Sequence, residues 1–528
     1  MFLDNLLTIT IFAPLLFAFI VFLLPDDDKN LIRRTALFFS LITLGMTITL
    51  WVMFDRSMPG FQFEQQAEWF PALGASFHIG LDGISLPMVL LTGILTPLGI
   101  LASFGIQERV KIYMTLFLIM ETASLGLFSA IDLLIFFIFW EFGLVPMYMM
   151  IRIWGGKDRV YASFKFFIYT MAGSLGLLLS IQIMGLSMGT FDLIELLDKW
   201  VNASSTMRLP LIGLQLGPVK TFAFWAFFIA FAIKVPIWPF HTWLPDAHTQ
   251  APTAGSMMLA GVLLKLGAYG FLRLVIPLFP VEAYNAAGLL AALGMLSIVL
   301  GGFAAYGQWD FKRLVAYSSI NHMGFVVLGI AVYATVYGQH HGTETNSIAL
   351  ALNNYGITSA DATLDATMAA NGAVLQMFNH GLSAAAMFFM VGVIYERAHT
   401  RDLKKFGGIW SRLPVFGGIL IFVSMCSLGL PGLNGFPGEF AITRSAWGIF
   451  PVYVALSMVG LLMTGAYVLK GIGETLHGPL KPEWRTLPKM TVQEHLVVWP
   501  LMILMLVIGI WPQWLSAIIN DTVTLILS

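Results

Sequence analysis

Lys234, Lys265, Glu141 and Glu439 each fall within a stretch that is otherwise apolar, and so do His322 and His380. His241 and His248 flank a proline-rich interruption, Lys234-Val-Pro-Ile-Trp-Pro-Phe-His241, which Pro245 follows. Glu121 is a further carboxylate in such a stretch. A charge at the centre of a membrane helix costs about 2.5–3.5 kcal/mol on insertion scales. Static Lys–Glu pairs could neutralise these groups, yet a buried ion pair is often no more stable than apolar residues of the same volume. So many ionisable groups at similar depth therefore point to chemistry. A lysine desolvated in protein gives up its proton readily, and a carboxylate brought close restores its hold. Moving that carboxylate turns the lysine from proton acceptor to proton donor. Histidine titrates near neutrality and suits the steps between. The set Glu141, Lys234, Lys265, Glu439, His322, His380, His241 and His248 is thus equipped to relay protons.

The elements that must hold these groups are membrane helices. Of 528 residues, 58% are hydrophobic and 11% charged, where a soluble domain carries roughly 25% charged. The fold class expected is all-α, a polytopic membrane protein of about fourteen transmembrane helices. Apolar runs of spanning length fall near 2–24, 35–54, 83–106, 112–131, 133–151, 162–187, 221–240, 252–276, 284–306, 314–336, 371–394, 415–442, 450–469 and 496–518. A tight turn at Asp132 divides the nearly continuous run 112–151. The first run lacks a basic leader and precedes Asp26-Asp27-Asp28, so it reads as a span, not as a cleaved signal.

Charge in the connections tests the count independently. Twenty Lys and Arg follow odd-numbered helices and six follow even-numbered ones; Lys234 and Lys265 are the remaining two of 28. Basic residues gather on the cytoplasmic side, so both termini are expected outside a cell inner (plasma) membrane. The net charge of −1 offers no field for nucleic acid. A single cysteine, Cys426, excludes an intrachain disulfide and any all-cysteine cluster. No phosphate-binding glycine loop, dinucleotide fingerprint or metal-ligand cluster is present, so no cofactor and no metal are expected in this chain. The connection 337–371 is expected to be an exposed loop with a short helix in 360–370.

Two helices should be broken. The second interruption reads Leu428-Gly-Leu-Pro-Gly-Leu-Asn-Gly-Phe-Pro-Gly-Glu439. Proline removes a backbone donor and disfavours helix before it. Each break carries a charge, Lys234 in helix 7 and Glu439 in helix 12. Paired interruptions five spans apart point to two inverted five-helix repeats around an ion path. The expected organisation is 1–110 for helices 1–3, 111–280 for the first repeat, 281–472 for the second, and 473–528 for a loop and helix 14.

Several segments carry a family resemblance. They are Phe137-Ile-Phe-Trp-Glu141-Phe-Gly-Leu-Val-Pro-Met-Tyr148, Trp154-Gly-Gly-Lys-Asp-Arg159, His241-Thr-Trp-Leu-Pro-Asp-Ala-His248-Thr-Gln-Ala-Pro-Thr253, Leu263-Leu-Lys265-Leu-Gly-Ala-Tyr-Gly270 and Ser318-Ser-Ile-Asn-His322-Met-Gly-Phe325. Over nearly its whole length the chain resembles the antiporter-like membrane subunits of respiratory NADH–quinone oxidoreductase, complex I. Glu439 separates it from the sister L and N chains, which carry lysine there. The resemblance implies that Glu141 partners Lys234 and controls its proton affinity. It also implies that Lys265 passes the proton along a central axis, that His322 and His380 link the halves, and that Glu439 is terminal toward the outside. The implied partners are other complex I membrane subunits, the L and N chains among them, with electron transfer confined to those partners. The connection 337–371 is longer than the family pattern implies. A subunit of a multisubunit cation/proton antiporter is the alternative. A haem or quinone protein with His322 and His380 as ligands leaves both lysines unexplained.

Overall fold

The computed structural model describes residues 5–58, 60–209, 213–341 and 359–527. Thirteen described helices are long and apolar enough to cross a bilayer. In chain order these are spans 1 to 11, namely Leu6–Leu23, Lys29–Met53, Ser85–Ala102, Val110–Ser129, Leu133–Trp154, Arg159–Met188, Leu216–Lys234, Thr253–Leu278, Pro280–Gly307, Phe311–His341 and Ser359–Ala398, then spans 13 and 14, Pro451–Leu476 and Val492–Ile510. Span 12 is divided into Pro414–Leu428 and Gly435–Ile449. With it the count is the expected fourteen.

Burial sorts the spans. The apolar windows of spans 8, 10 and 11 are wholly buried, whereas only about a third or less of those of spans 2, 13 and 14 is buried. The outer spans cover the inner three, and Lys265, His322 and His380 lie on those three. Small residues let the inner helices approach closely. A Cβ added to Gly381 would stand 2.9 Å from the Gly261 carbonyl. Spans 8 and 11 therefore touch backbone to backbone beside Lys265 and His380.

Both interruptions are real and locally satisfied, although span 7 ends earlier than the expected 221–240. It stops at Lys234 and the chain returns to helix at Trp243–Gln250. The Trp243 indole N–H donates to the freed Ile233 carbonyl at 2.9 Å, and the Trp238 N–H donates to Ser297 Oγ at 2.9 Å. In span 12 a Cβ on Gly435 would lie 2.1 Å from the Cys426 carbonyl. Only glycine lets the second half-helix start so close to the end of the first.

Two aspartate clasps join the connections. Asp132 and Asp192 form an antiparallel bridge between the 4/5 and 6/7 connections, and Asp310 and Asp402 form one between the 9/10 and 11/12 connections. Each aspartate also accepts hydrogen bonds from N–H groups of the turn that follows it, as an N-cap does. The Asp132 turn was expected from sequence; its tertiary partner was not.

The structure corrects the sequence reading at three places. Residues 62–81 form an antiparallel hairpin, β1 (Gln62–Phe70) and β2 (Ala75–Leu81), turning through Gly74 at φ 72°. The run 496–518 is not one helix, because span 14 ends at Ile510 and a separate helix follows Pro512 over Gln513–Leu527. The segment 360–370 is the start of span 11, not an isolated short helix. The rest of that connection, 342–358, lies outside the described residues. The hairpin caps the face opposite the basic connections, where the His78 carbonyl accepts the Ile131 N–H at 2.9 Å.

Candidate functional site

Spans 8, 10, 11 and 12 bring four of the sequence-predicted residues into one chain. Lys265 Nζ lies 2.8 Å from His380 Nδ1. The His380 and His322 rings are 5.8 Å apart, centre to centre. His322 Nδ1 is 2.8 Å from Glu439 Oε1. All four side chains are buried. Lys265 follows a π-helical turn, Leu259–Leu263, and also donates to the Ala260 carbonyl five residues back. Such π segments occur frequently at functional sites.

Helix geometry explains why the two charges beside the breaks differ in sign. Lys234 is the last residue of its half-helix, where carbonyl dipoles favour a cation. Glu439 lies in the first turns of the half-helix Gly435–Ile449, where N–H dipoles favour an anion. Their surroundings differ as well. Glu439 Oε1 accepts from Gln376 Nε2 at 2.8 Å in addition to its His322 contact, and His322 Nε2 is 3.1 Å from the Tyr467 hydroxyl. Lys234 instead sits under Trp140, its ammonium 5.0 Å from the ring centre.

The sequence expected Glu141 to pair with Lys234. No ion pair within 4.0 Å joins Lys234 to any carboxylate among the described residues, and Glu141 acts on it through its field. Glu141 is half-buried, with Oε1 buried and without a hydrogen-bond partner. The connection is electrostatic, not a contact.

His248 lies at the edge of the chain. It stacks on Phe388 at 4.3 Å, neither ring nitrogen has a hydrogen-bond partner, and the charges of Lys265 and Lys312 both reach it. His241 is set apart, half-buried near Tyr317. Glu121 is fully buried between spans and outside the chain of contacts.

A cavity of about 730 Å³ opens among the basic connections. Its lining includes Tyr113, Gln250, Ala251, Lys312, Glu396 and Arg401. Lys312 donates to the Ala251 carbonyl and Arg401 to the Thr249 carbonyl, so both cations grip the short link between the second half of span 7 and span 8. His248 lies three residues before Ala251, which lines the cavity.

Sequence reading missed Gln376, Tyr467 and Lys312. Gln376, Asn379 and His380 recur at helical spacing within an apolar helix, a polar stripe that could have signalled the first of these. Nothing local marks Tyr467, whose role arises from span 13 packing beside span 10.

A sequence family described as NADH:quinone oxidoreductase/Mrp antiporter, TM, matches residues 130–354 and 351–464. NADH-quinone oxidoreductase subunit M of Rhodobacter capsulatus is 39% identical, covering 98% of this chain and 96% of the relative. The Pseudomonas aeruginosa protein of the same name is 37% identical, covering 95% and 94%. A chain of respiratory complex I from Thermus thermophilus superposes with a TM-score of 0.82 at 26% identity, covering 98% of this chain and 99% of that one. A chain of the Mrp complex from a Dietzia species shares the fold, with a TM-score of 0.77 at 23% identity, 98% of this chain and 52% of that one. Two broken spans around a buried Lys–His–His–Glu chain and near-full-length similarity agree: the chain belongs to the subunit M family of NADH-quinone oxidoreductases.

Proposed function

We propose that this chain translocates protons through its mid-membrane Glu/Lys/His series, as an antiporter-like subunit of a respiratory NADH-quinone oxidoreductase. The observation that carries this reading is the buried sequence Lys265, His380, His322, Glu439, in which each neighbour lies within contact or near-contact distance. Protons enter from the basic face, which the distribution of Lys and Arg assigns to the cytoplasm. They pass from the cavity beside Lys312 to His248 and Lys265. Glu439 releases them toward the opposite face, where both termini lie, in a cell inner membrane.

Glu141 and Lys234 form the control element. The Lys234 ammonium has an aromatic ring as neighbour and feels a carboxylate with which it makes no ion pair. Its charge is therefore sensitive to any motion of Glu141, because Coulomb energy is steep in a poorly screened interior. The two aspartate clasps, the two breaks and their spacing support the division into repeats 111–280 and 281–472, with 1–110 and 473–528 flanking them. Electron transfer and its cofactors belong to partner subunits, and the L and N chains of the same complex are the neighbours this chain would join.

Reconstituted vesicles containing the whole complex test the reading. Glu141→Gln or Lys234→Ala should leave assembly of the complex intact while removing most proton uptake. Normal proton translocation in either variant would contradict it. Sodium-dependent proton flux without NADH would instead favour the cation/proton antiporter reading.

A further inference from the structure

We infer that the membrane face between spans 9 and 13 holds an anionic phospholipid from the leaflet on the basic side. Nothing in the proton path requires this site. It consists of an apolar groove that ends in a cationic, aromatic headgroup seat.

The groove has a volume of about 690 Å³, within the roughly 300–1,000 Å³ range of small-molecule sites. Phe303 and Tyr306 of span 9 form one wall; Leu462, Met463 and Leu469 of span 13 form the other. Gly465 and Ala466 make its floor shallow in side-chain atoms. Its walls point outward, with Phe303 50% and Leu462 74% exposed. In a bilayer these walls meet acyl chains.

The headgroup seat distinguishes this groove from an ordinary lipid-facing surface. At its basic end Lys470 Nζ lies 5.2 Å from the Tyr306 ring centre and 3.9 Å from that of Trp309. Lys404 Nζ approaches the same Trp309 ring at 4.5 Å. Lys470 donates to the Tyr306 and Gln308 carbonyls at 2.6 and 2.8 Å. An ammonium has three donors, so one remains for a ligand. Lys481 donates to the Lys404 carbonyl at 2.8 Å and adds a cation beside the Lys404 backbone. Glu474 is a carboxylate whose charge reaches Lys470, and it faces solvent.

Tryptophan and tyrosine favour the membrane–water interface, which sets Trp309 and Tyr306 at headgroup level. Lysine stems lie along apolar surface while their ammonium groups reach the interface. A phosphate at that level would bridge Lys404 and Lys470, with its chains lying between Phe303 and Leu462. Anionic lipid is abundant in the cytoplasmic leaflet, and juxtamembrane lysines bind it with about 1 kcal/mol each, roughly fivefold in affinity. A zwitterionic lipid would gain less, because its own ammonium group opposes the cluster.

Photoactivatable phosphatidylglycerol and phosphatidylcholine, each with a diazirine in the acyl chain, test the site in nanodiscs holding the whole complex. Phosphatidylglycerol is expected to label Phe303, Leu462 and Leu469 in preference to phosphatidylcholine. Lys404→Gln with Lys470→Gln should reduce that preference by roughly fivefold per lysine. Ala466→Phe, which fills the groove, should remove labelling by both lipids without altering the lysines. Equal labelling by the two lipids in the unaltered chain overturns the inference, since any lipid-facing groove would give that result. Absence of labelling, with this face crosslinked to another subunit, overturns it too.

Discussion

The two broken spans solve the same problem in opposite ways. Glu439 stands within a hydrogen-bonded network, accepting from Gln376 and paired with His322, with Tyr467 behind His322. Among the described residues Lys234 makes no side-chain hydrogen bond or ion pair; it has the Trp140 face nearby and the field of Glu141. A hydrogen-bonded charge is held in place, because moving it leaves buried partners unpaired. A charge governed by distance responds to small displacements. On the proposed reading, the first half would sense and the second would hold and pass on a proton.

Substitution at the two breaks is the sharpest way to test this contrast. The largest effect is expected in transport: Lys234→Leu should lower the proton-pumping rate tenfold or more. It should cost little stability, because replacing a poorly paired buried charge with an apolar side chain is often neutral or stabilising. Vesicle acidification and thermal unfolding of the purified complex read the two quantities separately. A large loss of stability would show that Lys234 is a structural charge after all.

Glu439→Leu should fail on both counts. It deprives His322 and Gln376 of their acceptor, at about 1–3 kcal/mol for each buried group left unpaired. Glu439→Gln keeps an acceptor oxygen, so it should retain most of the stability while pumping remains impaired. Equal destabilisation by the two substitutions would remove the basis for the contrast.

The clasps permit a second comparison of the halves. Asp132 accepts from the Ser76, Leu134 and Ile135 N–H groups and is fully buried. Asp310 accepts from the Arg313 N–H and pairs with a part-exposed Arg401. Loss of an N-cap costs about 0.5–2 kcal/mol. Asp132→Ala is expected at the top of that range and Asp310→Ala toward its lower end, measured by protease resistance of the adjoining spans.

A smaller effect belongs to the hairpin alone. Burial acts to lower the proton affinity of His78, but the hydrogen bond and charge of Asp192, joined by Glu64, outweigh it and raise the pKa above the ordinary 6.5. A group whose folded value is raised adds stability that is complete below its unfolded value and fades as pH rises through the folded one. Hydrogen exchange in 75–81, corrected for intrinsic rates, should therefore accelerate above that raised value relative to 85–102. His78→Gln should flatten the dependence. A profile unchanged by that substitution would show that the imidazole does not latch the hairpin.

The span count was legible because each helix must present about 20 apolar residues to lipid, and the alternation of basic loops checks it. The breaks were equally legible, since proline and glycine act locally on backbone geometry. The hairpin was not. Its first strand contains Glu64-Gln65-Gln66 and Glu68, which read as a polar connection. Tertiary contacts with Ile131, Asp132, Phe191 and Asp192 give the segment a reason to pair. The helix Gln513–Leu527 was hidden by apolar sequence running continuously into it.

Residue types and their spacing determined that this chain crosses a membrane many times, with ionisable groups at depth and two helices interrupted. Those are consequences of solvent and backbone chemistry acting on neighbours in the chain. The tertiary structure decided which of those groups meet. Lys265 reaches His380 because two glycines let spans 8 and 11 touch, and His322 reaches Glu439 because the break in span 12 admits it. Glu141 and Lys234 remain apart, since contact between residues 93 positions distant in the chain depends on packing that local pattern does not encode.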